Sequence, residues 1–297
     1  MFEGLSAFPL TPYDEAGPDL ELLSEIVGGL ADAGVDSICA LGSTGGYAYL
    51  SRRDRWEVAR AAVRAAGNVP VIVGVGALST REVRAHVRDA GAAGAAGVLL
   101  SPMSYQPLRP HEVYALFEEV SRATELPVVV YDNPSTTGFT FTEELHTKIA
   151  ALRGVASIKL PGVASDPERA REDFGRLREL TRGSVTLGVS GDSMGARGLL
   201  AGCVTWYSVL AGVFPRTCLE ITRAARGGEP ERALELSARL DPIWEQFEKF
   251  GSYRVVSAIA VEIGLMTRES LHRPVLPLAG ADREAVRAAL RAVGSLD

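Results

Sequence analysis

The chain has 297 residues, of which 46% are hydrophobic, 23% charged and 7% aromatic. That balance supplies enough apolar chain for a sizeable core and excludes a disordered polymer, a collagen-like repeat or a disulfide-held miniprotein. The formal net charge of -6 argues against a nucleic acid or an acidic membrane surface as partner.

Cys39, Cys203 and Cys218 lie in apolar contexts without CxxC spacing and read as buried, reduced thiols. The uncharged stretches 90–108 and 198–215 are interrupted by Gly, Pro and hydroxyl residues. Neither has the ~20 predominantly apolar residues of a membrane span. The opening MFEGLSAFPLTPYDE has no basic region and an early Glu3, unlike a signal peptide. A soluble, cytoplasmic protein is expected, with no membrane or nucleic-acid partner.

In chain order, short β-rich runs alternate with longer amphipathic stretches. The runs are LSAFPLT (5–11), SICALGS (37–43), PVIVGVG (70–76), AGVLLSP (96–102), PVVVYDN (127–133), VASIKLP (155–161), SVTLGVSGD (184–192) and VTWYSVLAG (204–212). Between them, apolar residues recur at three- and four-residue spacing with Arg and Glu opposite, the pattern of helices packed by one face. Ser51 and Thr80 are candidate N-caps, and Gly34 and Gly67 candidate stops. Strict alternation of strand and helix implies parallel pairing, and eight units in roughly 215 residues fit a closed (β/α)8 TIM barrel. No GxGxxG follows the first strand, which weakens a dinucleotide-binding sheet. Residues 215–297 show only helical patterning. The predicted organisation is a barrel over 1–214 with a C-terminal helical region, 215–297, packed against it.

In such a barrel, chemistry sits at the C-terminal ends of the strands. Of 31 basic side chains only Lys148, Lys159 and Lys249 are lysines, and one of these lies inside a strand, VASIKLP. Alternation puts Val155, Ser157 and Lys159 on one face and the apolar Ala156, Ile158 and Leu160 on the other, so Lys159 points into the barrel mouth. Desolvation there lowers an amine's pKa, and a neutral amine attacks a carbonyl to form a Schiff base. The blander alternative is a lysine that reaches out of the strand end to a carboxylate. Tyr131 falls on the inward face of the neighbouring strand. It is either a proton-relaying phenol or a core tyrosine with a satisfied hydroxyl.

The Gly42–Gly46 turn offers backbone N–H groups and two hydroxyls just before a helix, which suits a carboxylate or phosphate, although Gly-Ser-Thr-Gly is also an ordinary turn. The glycines around 188–195 are a similar case, a nest or a tight loop. His86, His111, His146 and His272 are scattered, the first three on predicted helices away from strand ends, and no pair has metal-ligand spacing. Neither a GxSxG elbow nor a P-loop occurs. No metal and no cofactor are expected.

FPLTPYDEAG at the start, GSTGG (42–46), YDNP (131–134), SIK (157–159), SGD (190–192) and RPVLPL (273–278) together resemble the dihydrodipicolinate synthase / N-acetylneuraminate lyase family of class I aldolase barrels. The resemblance spans nearly the whole chain. It implies that Lys159 forms an imine with C2 of pyruvate or a related 2-oxo acid and that Tyr131 shuttles protons. Ser43 and Thr44 would hold the carboxylate, with Ser43 also in the relay. It further implies a homotetramer, a dimer of dimers, without a metal. The candidate site is therefore Lys159, Tyr131 and Ser43, with Thr44, Gly45, Ser104, Tyr105, Thr136, Gly191, Asp192, Tyr207 and Ser208 as substrate-binding residues.

The chain departs from the family pattern at four places. Gly46 stands where a glutamate is usual, Thr136 where the synthases carry a carboxylate-binding arginine, and Leu160 where an acid follows the lysine. Ser104, with Tyr105 beside it, replaces a tyrosine lent to the neighbouring subunit's relay. Without the arginine, discrimination for an acidic second substrate is weakened. The expected activity is therefore an aldolase or dehydratase acting on a sugar-acid-like 2-oxo acid. The alternatives are a 4-hydroxy-tetrahydrodipicolinate synthase with altered carboxylate binding and a non-catalytic barrel that binds a 2-oxo acid.

Overall fold

The computed structural model describes residues 2–297. Eight parallel strands close into a barrel: β1 (Gly4–Ala7), β2 (Ser37–Ala40), β3 (Val71–Gly74), β4 (Gly97–Leu100), β5 (Val128–Tyr131), β6 (Val155–Leu160), β7 (Thr186–Val189) and β8 (Thr205–Ser208). Each pairs with its neighbours in sequence, and β8 pairs with β1. The predicted (β/α)8 TIM barrel with C-terminal helices is the observed fold.

Helices α1 (Leu20–Ala33), α2 (Arg52–Ala65), α3 (Thr80–Ala93), α4 (Pro110–Ala123), α5 (Glu143–Ala150), α6 (Pro167–Leu180) and α7 (Gly195–Ala201) each follow a strand. Their apolar stripes and the outward strand residues form one continuous core. Side-chain caps start several of them. Ser51 Oγ accepts from Asp54 N–H and Thr142 Oγ1 from Leu145 N–H, contacts worth about 1 kcal/mol each. For α3 the cap is Ser79, which accepts from Glu82 N–H, and the expected Thr80 is the first helical residue. Gly34 ends α1 in the left-handed conformation as expected, but Ala66 is the cap of α2, with the positive-φ Gly67 one place later.

Helix α8 (Pro215–Arg226) packs on β1 and α1 and completes the ring, so a division of the chain at residue 214 would cut the barrel. Asp297 caps it, accepting from Arg216 N–H and Thr217 N–H at 2.9 and 2.7 Å. Beyond it lie α9 (Pro230–Ala238), α10 (Asp241–Phe250), α11 (Ser252–Glu262) and α12 (Gly280–Val293). The helical patterning read from the sequence over 215–297 is broken between α8 and α9 and between α10 and α11. The breaks fall where Gly228 and Gly251 take φ of 81° and where Pro230 lacks an N–H. Helices α10, α11 and α12 pack on one another, and α10 reaches the turn at Asp192–Met194. The segment before α12 crosses the first βα loop, where Ser270 Oγ donates to Thr11 O and Arg268 pairs with Asp14. No described helix is long and apolar enough to cross a membrane.

The barrel interior is small and mixed. Phe8, Cys39, Ile72, Leu99, Val129, Tyr131 and Tyr207 form its apolar packing, separate from the outer core. All three cysteines are free and buried, and burial raises their thiol pKa values.

Candidate active site

Lys159 pairs in register with Tyr131 on β5 and with Gly188 on β7. The path by which it comes to face inward differs from simple alternation. Val128 pairs with Val155 and Val129 with Ser157, so β6 carries Ala156 as an extra residue. Val155, expected on the inward face, joins the outer core instead. After the bulge, Ser157 and Lys159 keep phase with Val129 and Tyr131.

Lys159 is 5% exposed. Its Nζ lies 4.7 Å from the Tyr131 ring centroid and 5.5 Å from that of Phe8. Burial lowers its pKa from 10.5 to about 8, against the pull of Asp192, Cys39 and Asp132 in the other direction. About a tenth of such an amine is neutral near pH 7. Beneath it, the Tyr207 hydroxyl is 2.7 Å from Ser157 Oγ. The Tyr207 ring covers Gly188, where an added Cβ would lie 2.4 Å from Cε2.

Tyr131 is also buried, and Asn133 Nδ2 donates to its hydroxyl at 3.0 Å. Burial raises the phenol's pKa, nearby Tyr47 adds to this, and the polar groups of Asn133, Thr136 and Ser43 oppose it. The phenol holds its proton at neutral pH and can pass it on.

The turn after β2 is held under strain. Leu41 has φ of 58°, unfavourable for a side chain with a Cβ by about 1–2 kcal/mol. Its carbonyl presses on Gly74, where an added Cβ would lie 1.8 Å from the oxygen. Gly42 lies against the Phe8 ring, and Gly46 N–H closes the turn on Ser43 O at 3.1 Å. The buried Thr44 Oγ1 has no hydrogen-bond partner. The N–H groups of Thr44 and Gly45 have no acceptor among the described residues. Unspent donors gathered in one turn match a carboxylate.

The far side of this turn is braced by the C-terminal region. An added Cβ on Gly46 would lie 2.6 Å from His272 Cε1 and 3.2 Å from the Tyr253 hydroxyl. The His272 ring packs between Tyr13 and Tyr49 at 4.4 and 5.4 Å, with Nδ1 3.0 Å from the Tyr253 hydroxyl. His146 likewise sits behind a strand end, its Nε2 3.2 Å from Asp132 Oδ2 and its ring stacked on Phe141. Of the three histidines expected to lie away from the strand ends, His146 thus packs against one. Among the described residues, no three His, Cys, Asp or Glu side chains gather as metal ligands would.

Asp192 ties the β7 loop to the end of β8. It accepts from Ser208 Oγ at 2.5 Å, Leu210 N–H at 3.0 Å and Val209 N–H at 3.2 Å. Ser208 Oγ in turn accepts from Ala211 N–H at 3.0 Å. These two candidates spend their polar atoms on each other and on backbone, so Asp192 acts on Lys159 through its charge. Burial raises the Asp192 pKa, and its hydrogen bonds and Lys159 oppose the rise. Gly191 is an exposed rim residue, and Tyr207, 1% exposed, forms the floor.

Residues 1–293 match the model of the dihydrodipicolinate synthetase family. The chain belongs to this family. Its relatives include the 4-hydroxy-tetrahydrodipicolinate synthases of Phenylobacterium zucineum, 30% identical over 99% of this chain and 98% of that one, and of Methylococcus capsulatus, 30% identical over the whole of both. The crystal structure of an Agrobacterium tumefaciens dihydrodipicolinate synthase superposes with a TM-score of 0.94 at 43% identity, covering 99% of this chain and 98% of that one. That of the Acinetobacter baumannii enzyme complexed with pyruvate does so at 0.89 and 25% identity, covering 99% of each. The chain is thus a member of an aldolase-type lyase family.

Against the family pattern, the space beside Gly46 is filled by His272 and Tyr253. Thr136 is exposed on the helical turn Pro134–Thr137 after β5, near the Tyr131 hydroxyl. Ser104 is half-buried, while Tyr105 is 89% exposed and adds nothing to the buried site within this chain. Four residues at the candidate site are absent from the site residues named from the sequence: Phe8, Tyr47, Ser101 and Asn133. Continuing the inward alternation of β4 past Leu99 would have found Ser101, and Asn133 stands within YDNP. Tyr47 gave no signal, since nothing local says which way the turn after Gly46 faces.

Proposed function

We propose that this chain is a Schiff-base-forming enzyme in which Lys159 attacks C2 of pyruvate or a related 2-oxo acid. The observation that carries the reading is the buried Lys159 amine, lowered to about 8 and seated against Tyr131. In this reading the substrate carboxylate takes the free donors of Thr44 and Gly45, with Ser43 beside them. The neutral amine adds to the carbonyl carbon, Tyr131 relays the nitrogen's proton and then gives a second one to the oxygen, and that oxygen leaves as water. The resulting iminium is an electron sink, so C3 can lose a proton and act as a carbon nucleophile, or a bond to C3 can be broken in the reverse sense.

The names of the relatives favour the 4-hydroxy-tetrahydrodipicolinate synthase reaction over the sugar-acid lyase expected from the residues. The second reading is supported by Thr136, a neutral hydroxyl close to Tyr131 where an arginine would favour an acidic partner. The same reading carries a homotetramer, as the family resemblance implies.

Borohydride trapping with pyruvate followed by peptide mass spectrometry tests the imine. An adduct on Lys159, absent in Lys159→Ala, is expected, and folded protein without an adduct overturns the reading. Rescue of a diaminopimelate auxotroph then distinguishes the synthase from a lyase.

A further inference from the structure

One buried phenol at the barrel mouth has no part in the reading above. Tyr47 lies on the single helical turn Tyr47–Tyr49, 7% exposed, with its hydroxyl 2.8 Å from Ser101 Oγ. Ser101 stands one residue beyond β4. Leu100 pairs with Val130, so the next rung sets Ser101 beside Tyr131, which itself pairs with Lys159. Adjacent strands are about 4.8 Å apart. The row Ser101, Tyr131, Lys159 therefore crosses three neighbouring strands, with the Tyr47 hydroxyl fixed to its first member. Gly76 makes room, since a Cβ there would lie 2.2 Å from Ser101 Oγ and 3.1 Å from the Tyr47 hydroxyl.

Arg55 is the second observation. It is buried, its Cζ lies 5.2 Å from the Tyr47 ring centroid, and its Nη1 and Nη2 each donate to a backbone carbonyl, Gly76 O and Gly74 O, at 2.9 Å. Its Nε has no partner. A buried guanidinium bonded only to carbonyls has no carboxylate in direct contact to neutralise it. Negative charge appearing on the neighbouring phenol would be stabilised by it. Burial raises the Tyr47 pKa, while Ser101 and Arg55 pull it down. Burial lowers that of Arg55 to about 10 against Tyr47, Glu82 and Asp89.

We propose that Tyr47, held by Ser101 and Arg55, is the second proton carrier of the site and is supplied by the same chain as Lys159. The inference rests on the imine reading. Attack of the amine forms the C–N bond and moves the carbonyl π pair to oxygen. The proton shed by nitrogen reaches that oxygen through Tyr131. A second proton from Tyr131 expels it as water, as the nitrogen lone pair forms C=N. Tyr131 is then one proton short. Tyr47 replaces it, becomes a phenolate beside Arg55, and recovers its proton when the cycle reverses. Tyr47 would thus take the role that the family gives to a neighbouring subunit's tyrosine, whose position here is Ser104.

The test is exchange of the pyruvate methyl protons in D2O, followed by NMR across a pH series, with borohydride trapping run in parallel. Tyr47→Phe should slow exchange roughly 100-fold. The loss should vary with pH, unlike that of a packing defect, and the Lys159 adduct should still form on long incubation. Exchange within about twofold of wild type with an unaltered pH profile would overturn the proposal, as would the same loss appearing in Tyr105→Phe instead. Should Tyr47→Phe not fold, Ser101→Ala reads the same relay: a loss of about 10-fold supports it and no loss overturns it. Wild-type protein that neither traps nor exchanges would defeat the imine reading and this proposal together.

Discussion

Lys159 and Tyr131 are register partners on adjacent strands, and the amine nitrogen of one lies over the ring of the other, 4.7 Å from its centroid. Contact with an aromatic face favours the charged amine by about 1–2 kcal/mol when buried. Desolvation is larger and acts the other way, so the net shift is downward, to about 8.

A pH profile follows from that shift. The neutral amine is the attacking form, so kcat/KM should rise with pH and level off above about 8. Asp192 opposes the lowering through its charge. Asp192→Asn should therefore move this limb to lower pH. A limb that stays in place, measured in protein of unchanged fold, would show that the Asp192 charge does not act on the amine.

The same lysine costs stability. Its folded-state pKa lies below the unfolded one, so the fold disfavours the charged form. That penalty is absent above about 10.5 and fully present below about 8. It amounts to about 3 kcal/mol. Lys159→Met should raise the thermal midpoint at pH 7 while abolishing imine formation, and the gain should shrink as the pH approaches 10.5. A lower midpoint at pH 7 would contradict the penalty.

Thr44 makes a separable contribution. Its buried hydroxyl has no protein partner, so Thr44→Val removes nothing that the free protein uses. Thermal stability should be unchanged or slightly higher. A hydrogen bond to a carboxylate is worth about 1.5–3 kcal/mol, so KM for the 2-oxo acid should rise at least about 10-fold, with little change in kcat. Steady-state kinetics with pyruvate measures both.

Gly74 and Leu41 meet so closely that neither can change alone. An alanine at Gly74 would put Cβ 1.8 Å from the Leu41 carbonyl oxygen, and this atom is backbone. Gly74→Ala should cost about 1–3 kcal/mol or more and displace the turn through Gly46. A thermal melt and the rate of imine trapping at a temperature where the variant is folded should both show the loss.

The barrel was legible because its signals are local. Eight β-rich runs at regular spacing and one strand lysine in an arginine-rich chain led to Lys159, and alternation on the next strand led to Tyr131. What was not legible depends on contacts between distant segments. The bulge at Ala156 is a register relation with β5, so Val155 was placed on the wrong face while Lys159 was placed correctly. The bracing of Gly46 by His272 joins residues 226 positions apart in sequence, and no local pattern encodes it. Asp192 and Ser208 were recognisable as polar residues at strand ends. That their atoms are spent on each other depends on the packing of the β7 loop against β8.

The bulge in β6 also bears on engineering. Five residues there, from Val155 to Lys159, run opposite the four from Val128 to Tyr131, and the surplus residue lies between the outward Val155 and the inward Ser157. A lysine grafted alone onto a regular strand of another barrel would inherit the host's twist at that point. The transferable unit is the whole segment from Val155 to Leu160 together with the β5 strand against which its register is set.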